Sequence, residues 1–577
     1  MVALSVAGLL GVLLLQGWAI TRQSLTSDEA YHSLAGQEAD SYGQNGLNLE
    51  HPPLFKMVAA LPQRIAMPRL LVSSALANLQ LLYTQAGAEA RARLWGRLAL
   101  AAVFGLPFLG LAFLLGSEVG GHATGAVLAL VLGLDFSVFP LLALIYSDAA
   151  VAVAFGLGFL AIARFLRRPD LGSAMLLGLS CGLALAAKFT GLLLLPVAAA
   201  AFVLAPGARA AWRRRLLGGL AALALAAAVV ELTYCVANQR YDVAFGRETI
   251  RLYCANRATI IVGDLLRPHA ELLLAIERYD PRAAQWLTGL LATRAQNELA
   301  VYPACNFGRM SSRGHWWYFP LLLAAKTPLP LLLASAAAAA AWAARRAVPA
   351  TGPPAAPPPG RRFRWLLAAA AAIYLVIAMT SNYNAGLRHL LPILPLVYLP
   401  AARWAAARPR VAAALLGAMF VESLAMAPVW VSSTSTWWLG ERDPLRFSLS
   451  LDNVYYHQNL LALRELRDRR GLRPLAVLDP SLPAAQVEDY LGKGASLTPA
   501  SAVARGWVAV GVATEVALPA ILRSSPREMY GFSGYRSLAE AWLPPARAIA
   551  RSAADCGYVA GTFHLYHLPD PAAGRAR

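Results

Sequence analysis

Apolar residues gather along this chain into long runs broken by short polar stretches, a pattern of neither an amphipathic helix nor an alternating strand. A helix crossing a bilayer needs about 20 apolar residues. Eleven such segments are predicted, at 2–20, 94–115, 122–137, 148–166, 171–187, 189–205, 215–236, 319–343, 363–380, 387–402 and 410–429. The stretch 171–205 is too long for one span, and the break Lys188-Phe189-Thr190-Gly191 divides it into a tight hairpin. The first run has neither a basic leader nor a small-residue cleavage site before Thr21, so it reads as a retained anchor. Beyond about residue 430 the pattern changes. Helical periodicity over 454–470 and buried-strand runs at Leu475–Leu478, Gly506–Val512 and Tyr558–Tyr566 predict a small α/β unit.

Composition sharpens this picture. With 58% hydrophobic residues, 14% charged and a mean hydropathy of +0.50, the chain is excluded from the soluble enzymes. Lys and Arg number 51 against 32 Asp and Glu, a net charge of +19. In a soluble protein that excess would suggest nucleic acid; in a membrane protein it belongs to cytoplasmic loops. One set of alternate loops carries Arg164, Arg167 and Arg168, then Arg209 and Arg213 to Arg215, then Arg345, Arg346, Arg361, Arg362 and Arg364, then Arg403, Arg408 and Arg410. The opposite short loops offer little beyond Lys188 and Arg388, and Arg22 is outvoted. The N-terminus is therefore expected inside. The expected fold is a multi-spanning α-helical membrane protein of about eleven spans over 1–430, with outer loops 21–93 and 237–318 and an extracytoplasmic α/β domain at 431–577. The Pro-rich stretch Val348–Gly360 reads as a cytoplasmic spacer. Five cysteines lack metal-ligand spacing and allow at most one bridge, Cys254 to Cys305.

On this topology Asp148, Lys188, Glu231, Lys326, Arg388, His389 and Glu422 all fall near the outer face. Each alone reads equally as interfacial snorkelling. Together they favour a reaction centre at the outer boundary over a transporter, whose ionisable groups should spread through the midplane.

The first outer loop adds candidate chemistry. Ser24-Leu25-Thr26-Ser27-Asp28-Glu29-Ala30-Tyr31-His32 sets two carboxylates side by side after the first helix. Adjacent residues cannot share one helix face, so one carboxylate is free to face substrate while the other caps or orients. An ordinary helix start at Ser27 is the competing reading. Further on, Asn48-Leu49-Glu50-His51-Pro52-Pro53-Leu54-Phe55-Lys56 carries a double proline that forbids helix and re-aims the chain.

Asp28-Glu29 followed by His51-Pro52-Pro53-Leu54-Phe55-Lys56 resembles the GT-C glycosyltransferases that use polyprenyl-phosphate sugars, in particular protein O-mannosyltransferases and aminoarabinose transferases. Tyr146-Ser147-Asp148-Ala149 resembles their second acidic motif, and Gly182 to Gly191 the hairpin that follows. Gly314-His315-Trp316-Trp317-Tyr318-Phe319-Pro320 with Lys326-Thr327-Pro328-Leu329-Pro330, and later Asn382 to Pro392, resemble further landmarks in the same order, so the likeness runs from about 25 to 395. It then fades: where relatives often carry Asp-Trp-Gly-Gln, this chain has Leu451-Asp452-Asn453-Val454-Tyr455-Tyr456-His457-Gln458-Asn459.

The resemblance implies inverting transfer of a sugar from a polyprenyl phosphate to an acceptor hydroxyl at the extracytoplasmic face. Asp28 would be the general base, with Glu29 orienting it or contacting substrate. Lys56, Lys188, Lys326 and Arg388 would hold the donor phosphate, Lys188 and Arg388 foremost. His51, Asp148, Tyr318, Asn384 and His389 would contact substrate. Asp148 reads alternatively as an ion-pair partner of Arg97, and the Trp316-Trp317-Tyr318 cluster as an interfacial anchor. A monophosphate donor can be neutralised by Lys and Arg, so no obligatory metal or other cofactor is expected, although a divalent ion remains compatible. Expected partners are the lipid-linked donor, a protein, lipid or glycan acceptor, and membrane lipids, not nucleic acid. An Arg- and Ala-rich composition suggests a high-GC bacterium, and hence the cytoplasmic (inner) membrane, cell-envelope or protein glycosylation, and an undecaprenyl-type carrier. The alternatives are a lipid-diphosphate oligosaccharide transferase, which a chelator would inhibit, and a transporter or flippase for a lipid-linked sugar, which would need inverted repeats that the chain lacks.

Overall fold

A computed structural model describes residues 2–63, 75–205, 212–255, 263–299, 304–344, 360–435, 458–497, 506–523 and 533–568. Most of the Val348–Gly360 spacer, Leu451 to His457, and Tyr302 and Pro303 lie outside the described residues.

Each of the eleven predicted apolar segments contains helix. Among the described residues, five helices are long and apolar enough to cross a membrane: Val2–Arg22, Ala88–Gly120, Ser147–Arg167, Trp212–Ala237 and Arg361–Thr380. Their outward faces are apolar, with Leu14 70% and Leu217 65% exposed, and only 28% of the most apolar stretch of Trp212–Ala237 is buried within the protein. Continuous exposed aliphatic faces of this kind call for lipid as solvent, and a helix meets its backbone hydrogen bonds internally there. His122–Leu134, Leu171–Ala187 and Phe189–Leu204 are shorter apolar helices, and the last two form the hairpin expected around Lys188.

The segment predicted as one span at 319–343 is instead two helices, Tyr318–Lys326 and Leu329–Ala343, bent by 112°. Pro328 explains the break: it lacks an N–H and pushes Thr327 out of the helical region. The N–H of Leu329 is met by Glu422 Oε1 at 3.3 Å.

On the side where helix Val2–Arg22 ends, helices Ser27–Tyr42 and Leu54–Ala60 lie against the bundle. Helices Val243–Cys254, Ala270–Tyr279 and Pro281–Glu298 form a separate apolar cluster that takes in Leu49. The bridge allowed between Cys254 and Cys305 does not form, although both residues are buried. The physical reason is that Cys254 packs in that helical cluster, whereas Cys305 packs with Ala517 and Ala520. Cys305 lies on β1 (Ala304–Asn306), which forms a small hairpin with β2 (Arg309–Ser311).

After 430 the chain forms a four-stranded sheet of order β3-β4-β6-β5, from β3 (Leu475–Leu478), β4 (Gly506–Gly511), β5 (Ala554–Val559) and β6 (Phe563–Leu568); the run predicted as one strand at Tyr558–Tyr566 is instead split by a turn at Ala560-Gly561 into the β5–β6 hairpin. β3 and β4 are parallel, and the remaining pairs antiparallel. This part of the chain grips the link between helices Val2–Arg22 and Ser27–Tyr42 directly. Tyr490 Oη accepts from Leu25 N at 3.1 Å, Gln486 Nε2 donates to Leu25 O at 2.9 Å, and Ser24 N donates to Gln458 O at 2.9 Å.

Close approach fixes how helix Leu54–Ala60 seats on Ser27–Tyr42. A Cβ added at Gly36 would lie 2.3 Å from the carbonyl oxygen of Lys56, so only glycine lets the backbones meet, and Gln37 Nε2 then reaches Ala60 O at 3.0 Å. Gly36→Val is therefore expected to cost about 1–3 kcal/mol by overpacking, read as a lower midpoint in thermal unfolding in nanodiscs. Gly17→Ala, where nothing lies within 4 Å, is the control expected to leave the midpoint unchanged. Equal midpoints for the two variants would refute this packing.

Candidate active site

Helix Ser27–Tyr42 begins with Thr26 as its N-cap, not the Ser27 of the competing reading. Thr26 Oγ1 accepts from Glu29 N at 3.3 Å, and Glu29 Oε2 accepts from Thr26 N at 2.9 Å, a reciprocal capping box. Glu29 is then consumed further. Arg97 Nε and Nη2 donate to its two oxygens at 2.7 and 2.6 Å, and Ile145 N donates to Oε1 at 3.1 Å. The other guanidinium hydrogens go to the carbonyls of Ser24, Gln23 and Ile20 at 2.8, 2.8 and 3.3 Å. Burial alone would raise the Glu29 carboxyl, but the Arg97 charge and hydrogen bonds outweigh it and hold it below the usual range. Glu29 therefore faces Arg97 in a sealed pocket, and the alternative pairing of Asp148 with Arg97 is replaced by Glu29–Arg97. Arg97 follows a π-helical stretch, Ala92–Gly96, of a helix with a second at Ala101–Gly105, geometry that recurs where a helix carries a functional residue.

Asp28, one residue earlier and about 100° round the helix, faces elsewhere. Its Oδ2 accepts from Arg388 Nη1 at 2.9 Å, and 37% of its side chain remains exposed. The Arg388 guanidinium lies 4.6 Å from the Tyr146 ring centroid, a cation–π contact. Tyr146 Oη in turn donates to Thr26 Oγ1 at 2.9 Å, so one tyrosine links Arg388 to the cap of the helix carrying Asp28. Arg388 rides the tight turn Leu387–Ile393 and also donates through Nε to Ala385 O at 3.2 Å. Beside this pair lies a second, Lys188 Nζ to Asp148 Oδ1 at 2.6 Å, with Asp148 in the first turn of Ser147–Arg167 and Lys188 at the hairpin break.

The histidines form the adjoining wall. His32, four residues after Asp28 and so on the same helix face, sets Nδ1 2.5 Å from Ile145 O. His32 meets His51 edge-on at 4.9 Å and Phe55 at 4.9 Å. Burial holds His32 down to about 4. Burial, then the charges of His32, Lys188, Lys56 and Arg388, push His51 well below the usual histidine range. Both rings are thus neutral at pH 7, and His51 Nδ1 is buried without a hydrogen-bond partner.

The remaining predicted site residues are placed differently. Lys56 is buried, donating to Asn48 O at 2.7 Å and Asn45 Oδ1 at 3.4 Å. Burial outweighs the neighbouring Glu50 and Glu38 and lowers Lys56 to about 8, while the two glutamates rise to about 7. Lys326 Nζ donates to Val431 O and Ser433 O at 2.6 and 2.7 Å, in a polar cluster around the helix break that includes Asp135, Tyr398 and Thr327. Tyr318 and Asn384 serve the turn that carries Arg388: Tyr318 Oη accepts from Gly386 N at 2.9 Å, and Asn384 Oδ1 from His315 N at 2.7 Å. His389 O accepts from Tyr374 Oη at 2.9 Å. Tyr146 and Tyr374 were not singled out from the sequence. Tyr146 stands in the Tyr-Ser-Asp motif, but its partners lie more than 100 residues away and leave no local signal. Among the described residues, no three His, Cys, Asp or Glu side chains converge as metal ligands would.

Among solved structures, the chain is similar to ArnT from Cupriavidus metallidurans bound to undecaprenyl phosphate, at 15% identity over 97% of each chain with a TM-score of 0.42. The same protein in its apo state gives a TM-score of 0.31 at 15% identity over 97% of each chain. The Archaeoglobus fulgidus oligosaccharyltransferase in complex with Zn and sulfate gives 0.38 at 13% identity, covering 97% of this chain and 73% of that one. No protein-family model and no curated protein sequence matches the chain.

Removing one member of a buried ion pair strands the other. Arg97→Met is expected to cost about 3–5 kcal/mol, whereas Arg97→Met with Glu29→Gln should recover part of that loss. Thermal unfolding of the two variants checks this, and a double variant less stable than Arg97→Met would contradict it.

Proposed function

We propose that this protein is a GT-C-type glycosyltransferase of the membrane that moves one sugar from a polyprenyl phosphate to an acceptor hydroxyl with inversion, using Asp28 as general base. The observation that carries the reading is the Asp28–Arg388 pair, part-exposed and flanked by Lys188–Asp148, with Glu29 locked away behind it. One accessible carboxylate beside two cations is what displacement at an anomeric carbon with a phosphate leaving group requires.

In this reading the donor phosphate lies between Arg388 and Lys188. It competes with Asp28 for the guanidinium, and a carboxylate relieved of its cation is the stronger base. Asp28 takes the acceptor proton, the acceptor oxygen bonds to the anomeric carbon, and the carbon–oxygen bond to phosphate breaks, leaving both electrons on the lipid phosphate. Neutral His51 supplies a hydrogen-bonding group beside the cations. Asp148 holds Lys188 in place, and Tyr318, Asn384 and His389 shape the turn that presents Arg388. Lys56 and Lys326 organise the backbone around the site and do not hold phosphate. The N-terminus is inside, residues 1–430 form the catalytic part with about eleven crossings, and 431–577 lie outside. Two cations suffice for a monophosphate, so no metal is required.

Transfer of radiolabelled sugar from a panel of polyprenyl phosphates, by purified protein in nanodiscs, tests the reading. Wild type is expected to transfer in chelator, and Asp28→Asn to lose about 10²–10⁴ in rate while still binding donor. Normal transfer by Asp28→Asn would overturn the base assignment. Loss of wild-type transfer in chelator would favour diphosphate chemistry.

A further inference from the structure

A second cluster of titratable groups lies outside this site, in the sheet that follows residue 470. His564, on β6, has a carboxylate at each ring nitrogen. Its Nδ1 is 3.0 and 3.1 Å from the two oxygens of Glu515 on helix Val512–Arg523, and its Nε2 is 2.8 Å from Asp555 Oδ1 on β5. A ring nitrogen bonds a carboxylate only when it carries hydrogen, so satisfying both requires the imidazolium. Tyr566 Oη donates to Glu515 Oε1 at 2.7 Å and lies 2.8 Å from His564 Nδ1. Tyr558 of β5 stacks on the imidazole with ring centres 4.4 Å apart. On the same side, β4 presents Val510 opposite His564, and helix Ser533–Ser552 packs Ala546 and Ile549 against Val510 and Tyr566. The charged groups facing the ring are thus Glu515 and Asp555, with Tyr558 and Tyr566 as the neighbouring titratable hydroxyls.

The clamped hairpin touches the catalytic loop through one intermediate. Its turn, with positive φ at Ala560 and Gly561, sets Thr562 so that Asn459 Nδ2 donates to Thr562 Oγ1 at 3.3 Å and to Ser432 Oγ at 3.2 Å. Residues on either side of Asn459 hold Ser24: Gln458 O accepts from Ser24 N, and Leu460 N donates to Ser24 Oγ at 3.0 Å. Ser24 O is a ligand of Arg97.

We infer that His564 is a proton-operated latch: its imidazolium, held between Glu515 and Asp555, fastens the β5–β6 hairpin to helix Val512–Arg523 and so seats the hairpin turn on Asn459, and loss of the proton releases it. Burial opposes the charged ring, but Glu515 and Asp555 outweigh it and raise His564 above the ordinary value near 6.5. The sign follows from linkage. A raised histidine contributes stability that is fully present below the unfolded value and is lost as pH rises through the folded one.

Hydrogen exchange of the full-length protein in nanodiscs across that pH range, corrected for intrinsic exchange, tests the latch. Wild-type amides of 554–568 should lose protection on raising pH, by about tenfold for each unit by which His564 is raised, while β3, which pairs with β4 and not with the hairpin, stays protected. His564→Gln, which cannot titrate, should abolish the step. A wild-type hairpin with no pH step, or a His564→Gln hairpin with the same step, would overturn the proposal. Nitrogen-15 resonances of the imidazole read the proton directly in wild type. A midpoint at or below 6.5 refutes the latch even if the variant fails to fold.

Discussion

A fully buried arginine must have every hydrogen placed, and Arg97 places all of its own: on both oxygens of Glu29 and on three carbonyls of the turn that ends the first helix. A charge in a low-dielectric interior is tolerable only when paired and hydrogen-bonded, so the group has essentially one geometry. That geometry sets the exit of helix Val2–Arg22 and the start of Ser27–Tyr42. Through Ile145, which donates to Glu29 and accepts from His32, it also sets the entry to the helix that carries Asp148. The accessible carboxylate is therefore aimed by its neighbour: fixing Glu29 inward leaves Asp28 no direction but outward.

Charge is divided between two environments by the same logic. Arg97 and Glu29 are sealed from water, whereas Arg388 and Lys188 sit beside a carboxylate with more than a third of its side chain exposed. A sealed pair gains nothing by exchanging partners. A part-exposed pair can exchange, because an arriving anion replaces the lost carboxylate before the cation is left unpaired. Arg388 and Lys188 are each held by an acidic side chain, Asp28 and Asp148, and at Asp28 the pair is open enough for such an exchange.

Much of the scaffold was legible in the sequence. Long apolar runs have few folded solutions, and the break at Lys188 falls where the runs break, whereas the segment predicted to 137 ends as helix at Leu134. The bend at Thr327-Pro328 was written in the proline but hidden by the apolar residues on both sides, which together have the length of one span. For the site, Asp28-Glu29 was readable as a pair with one carboxylate facing out and the other capping, yet the partner that locks Glu29 inward was not, because it is an arginine 68 residues away. Lys56 and Lys326 looked like free cations for the same reason. Their partners, the Asn48 carbonyl across a double proline and the Val431 and Ser433 carbonyls more than 100 residues on, are backbone atoms whose approach no side-chain pattern encodes. The cysteines were misjudged because both lie in the stretch predicted as one loop at 237–318, while the apolar clusters that bury them are distinct.

The part of the chain after residue 458 is more than an appendage, and the argument lies in which atoms it binds. Tyr490 and Gln486 take the N–H and the carbonyl of Leu25, and Gln458 and Leu460 take the backbone and hydroxyl of Ser24. Leu25 and Ser24 are the two residues between the Arg97-bound exit of the first helix and the Thr26 cap. Buried backbone groups in such a link need partners as surely as side chains do, and the helices of the membrane part supply Arg97. Without the later residues, Leu25 N and O would be unpaired in a buried position, each a penalty of about 1–3 kcal/mol. The helix carrying Asp28 thus has its N-terminal turn completed from the opposite end of the sequence. Any motion of the sheet that shifts Gln458 to Leu460 reaches the helix that carries Asp28 through Ser24, two residues before the Thr26 cap.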